Sequence, residues 1–384
     1  MTSRTRTLVL AVSIPLIAFV VIGGYLGQAL AKDGTYQHLR VFQDVVSLVL
    51  NNYVEEVDTT RAMDGAMRGL ADGLDPDSAY LSPELAGTVG ATLAANTADV
   101  GLELTRQYYL RVVSARDGSP AAKAGLRPGD FIRAIDNRPT RDMSAYEGAR
   151  LLRGAPGSTV SLLVLRGNAA DPHEVALVRE RTAGPEITSR LQSANTGYIR
   201  IAEFSKETPA RLKQAVDGLA KQQATRYVID LRGTARGDLD DGVAAARLFV
   251  KSGTLAVKQG KGDVRELVVA NAGDGAVTAP VVLLINQGTA GAAEVFAAAL
   301  DDNDRAELVG EQTLGRAARQ RLIRLPDGSG LLLTNLRYLT PDANAIHEKG
   351  LSPDVDVEQP EVEFGMEPPA GDPTLEKALE QVAK

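Results

Sequence analysis

The sequence predicts an α/β layered core in its C-terminal half, with a smaller strand-rich module ahead of it and a helical segment at the front. Three observations carry this. Apolar strand-like runs alternate with amphipathic helical stretches from about Gly184 to Glu358. Short strands broken by Gly and Pro fill the stretch from Leu85 to Glu180. Apolar residues recur at helical spacing between Thr35 and Leu81. The boundaries read as 1–34, 35–84, 85–180, 181–358 and a closing 359–384.

Arg4 and Arg6 precede an apolar run of 24 residues from Leu8 to Ala31, enough for the roughly 20 that a bilayer span needs. The basic flank predicts a cytoplasmic N-terminus, with the rest of the chain outside the cytoplasm. The run exceeds a usual signal-peptide core, which favours a membrane anchor. Ala29-Leu30-Ala31 keeps a cleaved signal peptide as the alternative.

In the helical segment, Leu39, Phe42, Val46, Val49 and Tyr53 form a narrow apolar seam. Asp58 is placed to cap a second helix carrying Met63, Met67, Leu70 and Leu74, which Asp75-Pro76 ends. The pair is read as a surface for a partner, a second copy or the following domain.

The module that follows opens with a strand at Val100-Gly101-Leu102-Glu103-Leu104 and continues with Leu110 to Val113. Ser119 to Gly125 reads as a short helix, Pro128-Gly129 as a turn and Phe131 to Ile135 as a strand. Ser144-Ala145-Tyr146-Glu147 has the form of a capping box. The run PAAKAGLRPGDFIRAIDN in this order of elements resembles a PDZ domain. The resemblance implies that backbone N–H groups near Val100 to Leu102 hold a peptide's terminal carboxylate. The peptide would add as a strand between Leu102-Glu103-Leu104 and the Ser144 helix.

Within the core, Gly197 to Ile201 and Tyr227 to Leu231 read as strands, Thr208 to Lys221 and Gly242 to Phe249 as helices, and Gly330 to Leu339 as a late strand. Its centre is Val281 to Gln320, with a buried strand to Asn286, a turn, and an Ala-rich helix from about Gly291 to Leu300. A strand that turns tightly into a helix is a common seat for a nucleophile, because the first helical N–H groups are unpartnered. This turn offers Gly288, Thr289, Ala290, Gly291, Ala292 and Ala293, and neither Ser nor Cys.

Composition excludes several chemistries. The chain has no cysteine, so disulfides, thiolate metal sites and thiol nucleophiles are ruled out. His38, His173 and His347 are far apart in sequence, so a metal site has no support, and no cofactor is expected. A net charge of −7 without basic runs excludes nucleic acid as an expected partner.

Residues 36 to 355 resemble the carboxyl-terminal processing peptidases. The matching pieces, in the family's order, are FQDVVSLVLNNYVEEV, LDPDSAYL, the PDZ run, GYIRIAEFS, VIDLR, VGEQTLGR, RYLTPDANAI and GLSPDVDV. The resemblance implies a ClpP/crotonase-like layered sheet with an inserted PDZ domain, a small β-barrel plus helices. It also implies an endopeptidase using a Ser/Lys dyad, in which a Lys kept near neutrality takes the Ser proton and backbone N–H groups hold the oxyanion. Here Gly291 stands at the nucleophile position and Arg316 at the base position, 25 residues apart as in the family. Glycine has no side chain and arginine stays protonated, so neither can perform its step.

By the same resemblance Asp302 and Gln320 match accessory residues, and Gly237 and Ala292 match oxyanion donors. Arg236 replaces a glycine beside them. Thr289 is the fallback nucleophile, and His347 and Lys349 are the nearest downstream bases. The expected protein is a peptidase-like binder of protein C-termini without proteolytic activity, as a homodimer or paired with an active relative. Its alternatives are an active endopeptidase with a displaced nucleophile and a non-catalytic scaffold. The stretch Pro360 to Gly371 reads as an acidic linker before a short helix with Leu375, Leu379 and Val382 on one face.

Overall fold

The computed structural model describes residues 35–91, 96–167, 171–181, 186–360, 362–366 and 370–384. The expected membrane segment, Leu8 to Ala31, lies outside the described residues. Among the described residues no helix is long and apolar enough to cross a membrane. The chain separates into a first unit ending at Ala66 and a second from Met67 to Lys384.

The first unit holds helix α1 (Thr35–Asn52) and the opening of α2 (Thr59–Asp72). Asp58 caps α2 by accepting the Arg61 N–H at 3.0 Å, as its position predicts. The α1 seam stays exposed at Leu39, Phe42, Val49 and Tyr53.

The second unit is built on a six-stranded sheet. Its strands are β8 (Ile187–Ser193), β9 (Thr196–Ile201), β10 (Arg226–Asp230), β13 (Val281–Ile285), β14 (Ala306–Gly310) and β17 (Val355–Asp356), in the order β17-β14-β13-β10-β9-β8. All neighbours are parallel except β8 and β9. Parallel strands are covered on both faces, which is why VVLLI of β13 is buried at every position. One face packs on α6 (Thr208–Lys221), α7 (Leu239–Ala246) and α8 (Ala292–Asp301), with Leu212, Val243 and Phe296 in a common apolar cluster. The other face, with Tyr198, Val228, Val282 and Leu284, packs on Leu375, Ala378 and Val382 of α9 (Pro373–Ala383). The tail helix is therefore a third layer of the core. The expected boundary at 358 does not separate it, because its apolar face is what covers the sheet.

A second, five-stranded sheet contains β1 (Ala79–Leu81), β11 (Thr254–Gln259), β12 (Arg265–Val269), β15 (Ala318–Arg324) and β16 (Gly330–Leu339). Residues 79–81, expected in the helical segment, instead pair antiparallel with β16. The short helix α3 (Pro83–Ala86) follows, and Ala79, Leu81 and Ala86 cluster together.

Every residue from Ala292 to Leu300 is buried in α8, whose buried side chains are apolar on every face apart from Glu294. Its small side chains admit α7 closely: a Cβ on Gly242 would lie 2.2 Å from the Ala292 carbonyl oxygen, so only glycine fits there.

The PDZ module has its own sheet: β2 (Leu102–Gln107), β3 (Tyr109–Ala115), β4 (Phe131–Ile135), β6 (Thr159–Leu165) and β7 (His173–Val178), with β5 (Arg138–Pro139) on β4. Helices α4 (Pro120–Lys123) and α5 (Ala145–Leu151) flank it, around a core with Leu104, Leu110, Ile132 and Leu162. Ser144 caps α5 by accepting the Glu147 N–H at 3.1 Å. Glu147 does not return the contact but pairs with Arg138, so only half of the expected capping box forms.

Candidate functional site

The turn after β13 is held by its own side chains. Asn286 Oδ1 accepts the N–H groups of Gly233 and Gly288, which ties the turn to the loop after β10. Thr289 Oγ1 accepts the Asn286 N–H and donates to the Leu231 carbonyl, and the residue is fully buried. Both uses of that hydroxyl are structural. The hydroxyl of Thr289, the fallback nucleophile of the sequence reading, thus has both its accepting and its donating role taken up within the fold.

Gly291 is the N-cap of α8, with φ 65° and ψ −120°. A side chain there is strained, yet this is a backbone form that projects residue i of a strand–turn–helix into open space. A Cβ on Gly291 would meet nothing nearer than the Ala235 carbonyl at 3.7 Å, and the Arg316 carbonyl and Leu239 at 3.9 Å. Three loops thus converge on the vacant position and leave room for a small side chain. Ala292 is the first helical residue, where the N–H lacks an intrahelical acceptor. Gly237, at φ 130°, lies in the same 231–238 loop as Ala235.

Glu294 organises the site, and sequence reading missed it. Its carboxylate is fully buried and accepts the N–H groups of Gly291 (3.0 Å), Gly315 (2.6 Å) and Arg316 (2.7 Å), and the Thr313 hydroxyl (2.5 Å). One side chain therefore joins the Gly291 turn to the Gly315–Arg316 turn. Burial pushes its carboxyl pKa up, against the pull of these four donors. The available signal was Glu three residues after the turn glycine, the returning half of a capping box.

The Arg316 side chain is engaged by partners outside the Gly291 turn. Its Nε lies 3.0 Å from Asp77 Oδ1, and its Nη1 donates to the Leu104 carbonyl of β2 at 3.2 Å. Burial lowers its pKa, but Asp77 and Glu103 outweigh that and raise it, so the group remains a cation. Asp77 comes from the Asp75-Pro76-Asp77-Ser78 turn, to which the sequence assigned no chemistry. Asp75 there accepts the N–H groups of Asp77 and Ser78, which holds the turn in shape.

Arg236 likewise takes new partners, Glu103 at 2.7 Å and Asp99 at 3.0 Å. The PDZ module is docked against the site by further contacts. Arg111 reaches Gln287 at 3.0 Å, Arg200 forks onto Asp117, and Arg116 pairs with Glu203.

The accessory positions fare differently from expectation. Asp302 is at the far end of α8, about 15 Å along the axis from Gly291, and its carboxylate receives the Asp342 N–H. Gln320 is on β15, where it contacts Ala318 and Thr334. Neither reaches the vacant turn by a hydrogen bond. His347 is buried in the 346–350 loop packed on Gly315, and burial pulls its imidazole pKa down. Among the described residues no group of three metal-ligating side chains is assembled. The expected groove residues Val100 to Leu104 are placed together on the outer edge of the PDZ sheet, with Glu103 the more exposed of the five.

Residues 195–357 match the model of peptidase family S41, and residues 111–166 match a PDZ domain. The carboxyl-terminal-processing protease of Synechocystis sp. is 36% identical, with 76% of this chain and 69% of that protein covered. The carboxy-terminal processing protease CtpA of Bacillus subtilis is 32% identical, covering 88% and 72%. The solved photosystem II D1 C-terminal processing protease superposes with a TM-score of 0.71 at 30% identity, covering 83% of this chain and 86% of that one. Fold, domain content and these relatives agree: the chain belongs to the carboxyl-terminal processing protease family.

Proposed function

We propose that this protein is a proteolytically inactive family member that binds protein C-termini outside the cytoplasm. The carrying observation is the state of the two vacated positions. The nucleophile turn keeps its backbone and its space but ends in Gly291, and the base position holds a permanent cation committed to Asp77. An acyl-transfer mechanism needs a hydroxyl and a proton acceptor within hydrogen-bond reach of each other. The burial and double hydrogen bonding of Thr289 support this reading over a displaced nucleophile.

What remains is recognition. A peptide ending in an apolar residue would pair with the outer edge of β2 and set its last side chain against α5. The localisation rests on the basic-flanked apolar run of the N-terminal segment, which would hold the protein at a membrane. A homodimer or a complex with an active relative would then present several such grooves.

The test uses the purified chain with a set of peptides ending in apolar residues. No cleavage is expected, together with calorimetric binding that needs a free C-terminus. Cleavage that persists in Gly291→Ala and disappears in Thr289→Ala would establish the displaced nucleophile. Absence of any binding would leave the scaffold reading in its place.

A further inference from the structure

The two arginines of the vacated loops converge on one strand of the PDZ module. Val112 on β3 turns its N–H to Asp130 and its carbonyl to Gly129, toward β4. Leu104 is its partner across β2 and β3. Opposed residues in an antiparallel pair either both face each other with their hydrogen-bonding groups or both face away, so Leu104 presents its carbonyl outward. That outward carbonyl accepts Arg316 Nη1. It is the edge to which a ligand strand would add.

The carboxylate end of the same groove is also filled. Asp99 Oδ1 accepts the Gly101 N–H at 2.9 Å, and Asp99 Oδ2 receives Arg236 Nη2 at 3.0 Å. One carboxylate thus bridges a backbone N–H and a guanidinium, the pair of donors that a peptide's own terminal carboxylate would seek. A cavity of about 240 Å³ opens beside this bridge. Arg116, Arg153, Arg181 and Arg236 line it against Asp99 and Glu180, so guanidiniums outnumber carboxylates.

We propose that Asp99 is an internal stand-in for the ligand carboxylate, and that Arg236 and Arg316 are groove residues that hold it closed. An incoming peptide C-terminus would take Asp99's place between Gly101 and Arg236, while its backbone replaces Arg316 on Leu104. Arg236 and Arg316, which stand where the resemblance expects a glycine and a lysine, thereby acquire a binding role. This rests on the peptide-binding reading above.

Calorimetry of the full chain with an apolar-ended hexapeptide, as free acid and as amide, tests it. Asp99→Ala is expected to tighten binding about tenfold for the free acid, as for a groove open about a tenth of the time, and by a similar factor for the amide, which needs the same open groove. Asp99→Asn keeps an acceptor for Gly101 without the ion pair, and should fall between. Arg236→Gly should lose most of the preference for free acid over amide. Binding by Asp99→Ala no tighter than wild type, or undiminished discrimination by Arg236→Gly, overturns the proposal. If no variant binds any peptide, the binding reading fails instead. The internal bridge is then judged by hydrogen exchange at residues 99–107. Asp99→Ala should accelerate it at least about fivefold, and unchanged protection rejects the bridge.

Discussion

The two positions that the resemblance aligns with the dyad differ in opposite ways. At Gly291 there is no side chain, the backbone lies at φ 65° and ψ −120°, and there is space for a small side chain. At Arg316 a long side chain has fixed partners, Asp77 and the Leu104 carbonyl. One position is empty and the other has been reassigned. A side chain could be added at Gly291 without displacing a neighbour, whereas replacing Arg316 breaks contacts to the PDZ strand and a buried acid.

The sharpest way to break the comparison is to remove what both positions share. Glu294→Ala leaves the Gly291, Gly315 and Arg316 N–H groups and the Thr313 hydroxyl without their common acceptor in a buried place. Unsatisfied buried donors cost about 1–3 kcal/mol each, and water entering the cavity recovers part of that. A loss of about 5 kcal/mol is expected, in the range that named structural failures produce. Chemical denaturation with an unchanged m-value measures it. A loss below about 1 kcal/mol would mean that the two turns hold their shape independently. Glu294→Gln, which retains one acceptor oxygen, should fall between.

Arg316→Ala tests reassignment. Asp77, with a side chain 4% exposed, loses its cation, and an uncompensated buried charge costs about 3 kcal/mol. Arg316→Lys should restore part of this, as a point charge without the guanidinium fork. The recovered stability is the informative quantity. If Lys recovers all of it, charge alone matters and the position is less specialised than its geometry suggests.

Gly291→Ser tests emptiness. The nearest atom to a new Cβ is 3.7 Å away, an ordinary contact, so the cost is backbone strain alone, about 1–2 kcal/mol. The variant should fold, bind as before and leave peptides uncut, since no base faces the new hydroxyl. Adding Arg316→Lys brings a lysine that Asp77 holds protonated, so the double variant is also expected to be inactive. Cleavage by it would show that Asp77 does not control the base position.

How far this was legible in the sequence follows the same division. The strand–turn–helix around Gly291, the spacing to Arg316 and the PDZ run are local patterns, and each is found where the residues predicted it. The roles of Glu294, Asp77 and Asp99 were not readable, because each depends on a partner brought near by the fold: Glu294 meets residues 19 to 22 positions away. The tail helix was found as a helix but not as a layer of the core, since its apolar face does not name the surface it covers. Asp302 was misplaced for the opposite reason. It matches in sequence, while ten residues of helix carry it to the far end of α8.

That far end supplies a control for Glu294. Asp301 closes α8 among Asp302, Asp304 and Asp354, where a helix C-terminus also disfavours negative charge. Burial first, and these neighbouring carboxylates second, push its pKa up to about 7. A carboxyl whose folded pKa lies above its unfolded value favours folding while it is protonated. Its contribution is complete below about pH 4 and is lost as pH rises through about 7. Wild type should therefore lose melting temperature between pH 5 and pH 8 relative to Asp301→Asn, which has no proton to release. Parallel melting curves for the two proteins across that range would show that Asp301 is ionised throughout. The two acids would then differ in their surroundings: Glu294 is an acid bound by four donors, and Asp301 would be a charge tolerated at a helix end.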